Sequence, residues 1–188
     1  QHLVALHEVH LHRCHQRGRI GSRRGSLTGA LRLRRLGFRK IAPGLQNGDD
    51  RYIAGNEENN CGDVARWYFL NLTIEQLLKE GLRGDVAELG VYKGNTAAIL
   101  SRYAERIGGR CYLFDTFEGF SGRDMNGVDA GVRMAFEDAR LDDVRRLIDS
   151  PAAVYVQGWF PESLAHLDAD PRFTLVHIDC DLYQPMKA

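Results

Sequence analysis

Four short runs hold the residue types on which chemistry could rest. The first is Glu88-Leu89-Gly90-Val91-Tyr92-Lys93-Gly94-Asn95-Thr96. A strand pattern ends there on an acid, and a glycine loop then opens a helix. Gly90 and Gly94 would let the backbone turn sharply and approach a ligand where a Cβ would collide. Amides exposed at a helix start favour an anionic or carboxylate group. The spacing is Gly-x-x-x-Gly, not the Gly-x-Gly-x-x-Gly that packs around a pyrophosphate. Glu88 would repel a pyrophosphate but suits a ligand with an ammonium group, and S-adenosylmethionine has one. A purely structural strand-to-helix turn could use the same glycines.

The second run is Leu113-Phe114-Asp115-Thr116-Phe117-Glu118-Gly119-Phe120. An acid closing a second strand, some 20 residues after a glycine loop, is placed to accept hydrogen bonds from both ribose hydroxyls. Asp115 therefore reports adenosine without naming the cofactor, and its competing reading is a cap or turn acid. In the third run, Gln157-Gly158-Trp159-Phe160-Pro161, Gly158 could admit an adenosine closely. Trp159 or Phe160 could stack on it, or both rings could belong to the core. The fourth is Val176-His177-Ile178-Asp179-Cys180-Asp181-Leu182-Tyr183. Asp179 ends a strand, where a carboxylate can ligate a divalent ion or act as a base on a substrate hydroxyl. His177, within the strand, reads as a core histidine.

These runs must be held by a regular scaffold. Val64, Trp67, Tyr68, Asn71, Ile74, Leu77 and Leu78 recur near the helical period, with Gly81 closing the helix. After Gly84 strands and helices alternate: strands at 85–89, 110–114, 153–157 and 173–178, and helices at 95–107, about 132–148 and 162–167. That alternation predicts an α/β fold with a doubly wound, mostly parallel sheet. Ligands in such sheets bind at the carboxyl ends of strands, and every run above lies at such an end.

Zero net charge conceals an asymmetry. Residues 1–48 carry 10 Lys/Arg against one acid, while residues 49–188 carry 15 against 24. The first segment also holds five of the seven histidines (His2, His7, His10, His12 and His15) and a basic amphipathic stretch from Leu27 to Ile41. It reads as a poorly ordered N-terminal extension, and residues 49–188 as the folded part. The acidic balance of that part gives no nucleic-acid footprint. No run of about 18 apolar residues suggests a membrane span, and no secretory h-region opens the chain. Cys14, Cys61, Cys111 and Cys180 form no Cys-x-x-Cys pair, which suits reduced thiols and a cytoplasmic location. Asn71-Leu72-Thr73 matches a glycosylation sequon but falls mid-helix, and is discounted.

Taken in order over residues 57–188, the four runs resemble the macrocin O-methyltransferase family, class I S-adenosylmethionine-dependent enzymes that methylate sugar hydroxyls in antibiotic biosynthesis. The second and fourth runs are the specific ones. The resemblance implies a Rossmann-like sheet, S-adenosylmethionine and Mg2+. Together the runs and the resemblance give an expected cofactor site of Glu88, Gly90, Tyr92, Gly94, Asn95, Thr96, Asp115, Thr116, Phe117, Gly158 and Trp159, with Asp179 as catalytic residue and metal ligand. In the family, further metal carboxylates and three more strands follow the fourth, so this chain is expected to be an incomplete catalytic domain whose activity is in doubt. The expected partner is a small-molecule acceptor, and self-association is left open. Three other readings remain: a catechol-type metal-dependent O-methyltransferase, a nucleotide-binding oxidoreductase domain, and a non-catalytic fragment.

Overall fold

The computed structural model describes residues 4–7, 64–167 and 171–188. The expected boundary between residues 48 and 49 and the basic stretch from Leu27 to Ile41 lie outside them. Five parallel strands make one sheet: β1 (Val4–His7), β2 (Asp85–Leu89), β3 (Cys111–Asp115), β4 (Ala153–Gln157) and β5 (Phe173–Ile178), in the order β1-β5-β2-β3-β4. The chain runs outward from β2 through β3 to β4, then crosses back to lay β5 on the other side of β2. The strand order thus reverses between β2 and β5, the place where a doubly wound sheet leaves a crevice. Glu88 pairs with His177 and Leu89 with Ile178 across that junction. β1 lies outside β5, Val4 opposite Leu175. The sequence pattern had indicated no strand there.

Burial alternates along the strands and separates two cores. Val86, Cys111, Leu113 and Leu175 face α1 (Val64–Lys79), α2 (Asn95–Ile107) and α3 (Leu141–Ile148). Ala87, Leu89, Tyr112, Phe114 and Val156 face the other way, where Phe160 and Leu167 cover them. On α1 the buried stripe is Trp67, Leu70, Ile74 and Leu77, a 3-4-3 spacing that keeps one face inward. Burying each such side chain contributes about 1.5–3 kcal/mol. Asn71 is buried too, its amide donating to the Trp67 carbonyl at 2.6 Å, so the sequon asparagine is inaccessible. Glycines in the left-handed region bound α2 on both sides, Gly94 at φ 84° and Gly108 at φ 73°.

The strands at 85–89, 153–157 and 173–178 and the helix at 95–107 fall where the sequence put them, and the second strand is displaced by one residue. The helix expected over 132–148 needs correction. Only Leu141–Ile148 is helical, and a short 3-10 turn, Gly127–Asp129, is the one helical element in the loop before it. Phe136 sits at φ 64°, a conformation no helix accommodates, and its ring packs against Tyr92 and Phe120. Those two contacts replace the burial that a helix would have given it. The short helix expected at 162–167 is a 3-10 turn, Glu162–His166. A last helix, α4, covers Tyr183–Lys187.

Candidate active site

A cleft of about 150 Å3 opens at the carboxyl ends of β2, β3, β4 and β5. Its floor is the loop after β2. Gly90 holds φ 85°, and a Cβ there would also drive into the backbone carbonyl of Asp179 and stand 2.9 Å from Cys180 Cα. The glycine lets the loop after β2 lie directly against the chain leaving β5. Gly94 has another role. Its absent Cβ makes room for Val144 and Ile148 of α3 at 3.0 and 3.4 Å, so it seats α2 on α3 and does not line the cleft.

Asp115 organises the loop from beside it. Its Oδ2 accepts the amides of Val91 (2.7 Å) and Tyr92 (2.9 Å), and its Oδ1 accepts that of Phe117 (2.7 Å). A carboxylate offers about four acceptor positions. Three are used internally, leaving one on Oδ1. Asp115 is thus a turn acid, and it also borders the cleft.

Glu88 is 1% exposed, and its Oε1 lies 2.9 Å from His177 Nδ1 on the neighbouring strand. Burial raises its carboxyl above the ordinary value, while the His177 hydrogen bond opposes that shift. Its Oε2 is buried with no partner, and Glu88 contributes to the cleft wall. On the same face Arg66 of α1, 5% exposed, reaches Asp179 Oδ2 at 2.5 Å. Asp179 Oδ1 is likewise buried without a partner. Asp181, at φ 59°, has its carboxyl pushed up to about 7, first by burial and then by Asp179.

A second wall comes from the segment after β3. Phe120, Phe136 and Tyr92 form a chain of edge-to-face contacts with centroids 5.0 and 4.8 Å apart. Tyr92 Oη donates to Asp138 Oδ1 at 3.0 Å, and Lys93 Nζ meets Asp138 at 2.6 Å, tying this wall to the glycine loop. Opposite, Trp159 and Phe160 follow Gly158, with Arg123 lying 5.3 Å over the Trp159 ring.

The cleft gathers Glu88, Gly90, Tyr92, Asn95, Thr96, Asp115, Thr116, Gly158, Trp159 and Asp179 from the expected set. Phe117 is not among them. It is 3% exposed in the helix-side core, at φ 56°. Turned inward after Asp115, its ring joins that core, while its amide serves the carboxylate. Arg66 and Phe136 are cleft residues outside the four runs, and Phe120 closes the second run without having been among the expected site residues. Arg66 had one cue, its place beside Trp67 on the flank of the buried stripe of α1.

The residues fit S-adenosylmethionine in one respect: Glu88 Oε2, buried without a partner in the cleft wall, matches an ammonium group. They do not fit Mg2+. Asp179 is neutralised by Arg66, Asp181 stands alone beside it, and no group of three His, Cys, Asp or Glu suited to a metal exists among the described residues. No described helix is long and apolar enough to cross a membrane.

Comparison with known proteins agrees with this layout. At 26% identity over 129 residues, the chain is similar to the 8-demethyl-8-(2,3-dimethoxy-alpha-L-rhamnosyl)-tetracenomycin-C 4'-O-methyltransferase of Streptomyces olivaceus, over 61% of this chain and 49% of that protein. It thus spans about half the length of that relative. The structure of the O-methyltransferase NovP superposes with a TM-score of 0.54 at 19% identity, covering 64% of this chain and 55% of that one. The calicheamicin methyltransferase CalS11 gives a TM-score of 0.52 at 20% identity, over 87% and 71% of the two chains. At these identities both structures speak for the fold, a class I Rossmann-like sheet. The sequence profile described as "Methyltransferase domain" matches residues 87–188, more than half of the sequence, and this chain belongs to that family.

Proposed function

We propose that the protein is an S-adenosylmethionine-dependent O-methyltransferase acting on a hydroxyl of a sugar or small natural product. The observation that carries this reading is the unpartnered Glu88 Oε2, buried beside Gly90 at the reversal in strand order. When bound, the cofactor supplies an electrophilic methyl group. Glu88 Oε2 would take its ammonium group, the start of α2 would face its carboxylate, and the remaining Asp115 acceptor would take a ribose hydroxyl. Trp159 flanks the adenine, and Phe120 and Phe136 screen the reacting centre from water. Asp179 Oδ1 receives the acceptor's hydroxyl proton, with Arg66 holding the other carboxylate oxygen so that Oδ1 stays directed at the substrate. Alignment of acceptor oxygen, methyl and sulfur supplies much of the rate.

The 4'-O-methyltransferase activity in the Streptomyces relative's name supports a glycosyl hydroxyl as acceptor. The free thiols of Cys111 and Cys180 accord with a reducing, cytoplasmic setting. Calorimetry with S-adenosylmethionine and with NAD tests the assignment, followed by transfer of a labelled methyl group to a panel of glycosylated natural products. Binding of S-adenosylmethionine but not NAD is expected, and binding of NAD alone would overturn the reading.

A further inference from the structure

His177 lies behind the cleft wall. It is fully buried on β5, opposite Glu88 on β2, and its Nδ1 is 2.9 Å from Glu88 Oε1. A carboxylate at 1% exposure loses nearly all hydration, and a buried acid without hydrogen bonds to its charged form tends to protonate. A protonated Glu88 would rotate freely between its two oxygens and would carry no charge to offer. With Nδ1 donating to Oε1, the carboxylate is fixed in plane and its second oxygen is left over. That oxygen has no partner, and Glu88 itself borders the cleft. The other groups around the pair are Arg66 from α1 and Asp179 at the end of β5, whose effects on Glu88 oppose each other, and the Cys111 thiol from β3.

We propose that His177 is a positioning residue: its hydrogen bond to Oε1 orients the Glu88 carboxylate so that Oε2 selects a ligand bearing an ammonium group. The inference rests on the cofactor reading and deepens it, because it says which part of the ligand the pair reads. Adenosine recognition belongs to Asp115 and the β4 end, away from His177. Loss of His177 therefore weakens binding of the amino-acid moiety and leaves binding of the nucleoside moiety alone.

The test compares two compounds by calorimetry on the full chain. S-adenosylhomocysteine carries the ammonium group, and 5'-methylthioadenosine lacks the whole amino-acid portion. Wild type should bind the first more tightly. His177→Leu should lose roughly tenfold to hundredfold affinity for S-adenosylhomocysteine, the worth of a charge-assisted hydrogen bond, with affinity for 5'-methylthioadenosine unchanged. His177→Asn, which puts an amide nitrogen near the Nδ1 position, should restore most of the loss. Glu88→Gln, similar in volume but uncharged, should repeat the selective loss even if His177→Leu fails to fold. Equal losses for both compounds, or no loss for either, would overturn the proposal. Equal wild-type affinities would overturn it while leaving the cofactor reading intact, and wild type binding neither compound would remove both.

Discussion

Replacing Asp115 by asparagine separates the two duties that this side chain performs. The carboxylate accepts three amides, from Val91, Tyr92 and Phe117, at 2.7–2.9 Å. Asparagine has one acceptor oxygen, which can face the Val91 and Tyr92 amides. Its NH2 group then faces the Phe117 amide, donor against donor. A hydrogen bond to a charged group contributes about 1.5–3 kcal/mol, and a neutral one about 0.5–1.5 kcal/mol. Two bonds weakened and one lost sum to about 3.5–6 kcal/mol on those figures, and the partial exposure of Asp115 lowers this to about 3 kcal/mol. For a chain of this size that corresponds to a melting temperature lower by about 6–12 °C. Urea denaturation of the ligand-free protein, followed by circular dichroism, measures it directly. A stability within about 0.5 kcal/mol of wild type, with only cofactor affinity changed, would refute the clamp and leave Asp115 a ligand-facing acid alone.

Three further outcomes follow from the same geometry. Gly90→Ala must place a Cβ against the Asp179 carbonyl in a left-handed conformation, so a loss of about 3 kcal/mol or more is expected in urea melts. Asp181 has its carboxyl raised to about 7, above an unfolded value near 3.9, so the native state holds the extra proton and stability falls as pH rises from about 4 to 7. Asp181→Asn should accordingly be more stable than wild type at pH 8, by about 2–4 kcal/mol, with the difference vanishing towards pH 4. Burial raises the thiols of Cys111 and of Cys180, the latter to about 12, so peptide mapping after iodoacetamide treatment at pH 8 should find both unlabelled in the native protein and labelled in urea.

Much of this layout was legible in the sequence because its signals are local. Short apolar runs such as Val86-Ala87 and Val154-Tyr155-Val156, set between glycine or proline turns, specify strands by themselves. The glycines at 94 and 108 frame α2 without help from elsewhere. What stayed hidden depends on partners far along the chain. Arg66 becomes a cleft residue only because Asp179, 113 positions away, receives it. The segment from 132 to 140 has apolar residues at helix-compatible spacing, but Phe136 finds Tyr92 and Phe120 and gives up the helix. Phe117 shows the reverse error: it belongs to a motif by position, yet the positive φ after Asp115 turns its ring into the core. A residue's place in a motif fixes its backbone more firmly than the direction of its side chain.

The placement of β5 between β2 and β1 also has a kinetic meaning. β2, α2, β3, α3 and β4 pair with close neighbours along the chain, and such contacts close short loops and form readily. The Glu88–His177 contact spans 89 residues, so β5 should join after β2, β3 and β4. Until it does, the Asp115 clamp on the glycine loop can already stand, while Glu88 lies open to water at an unpaired strand edge. Insertion of β5 buries Glu88, delivers His177 to it and carries Asp179 to Arg66 in a single event. The chemistry of the cleft would therefore arise with β5, and a partly folded chain would expose this edge to aggregation before it could bind its ligand in full.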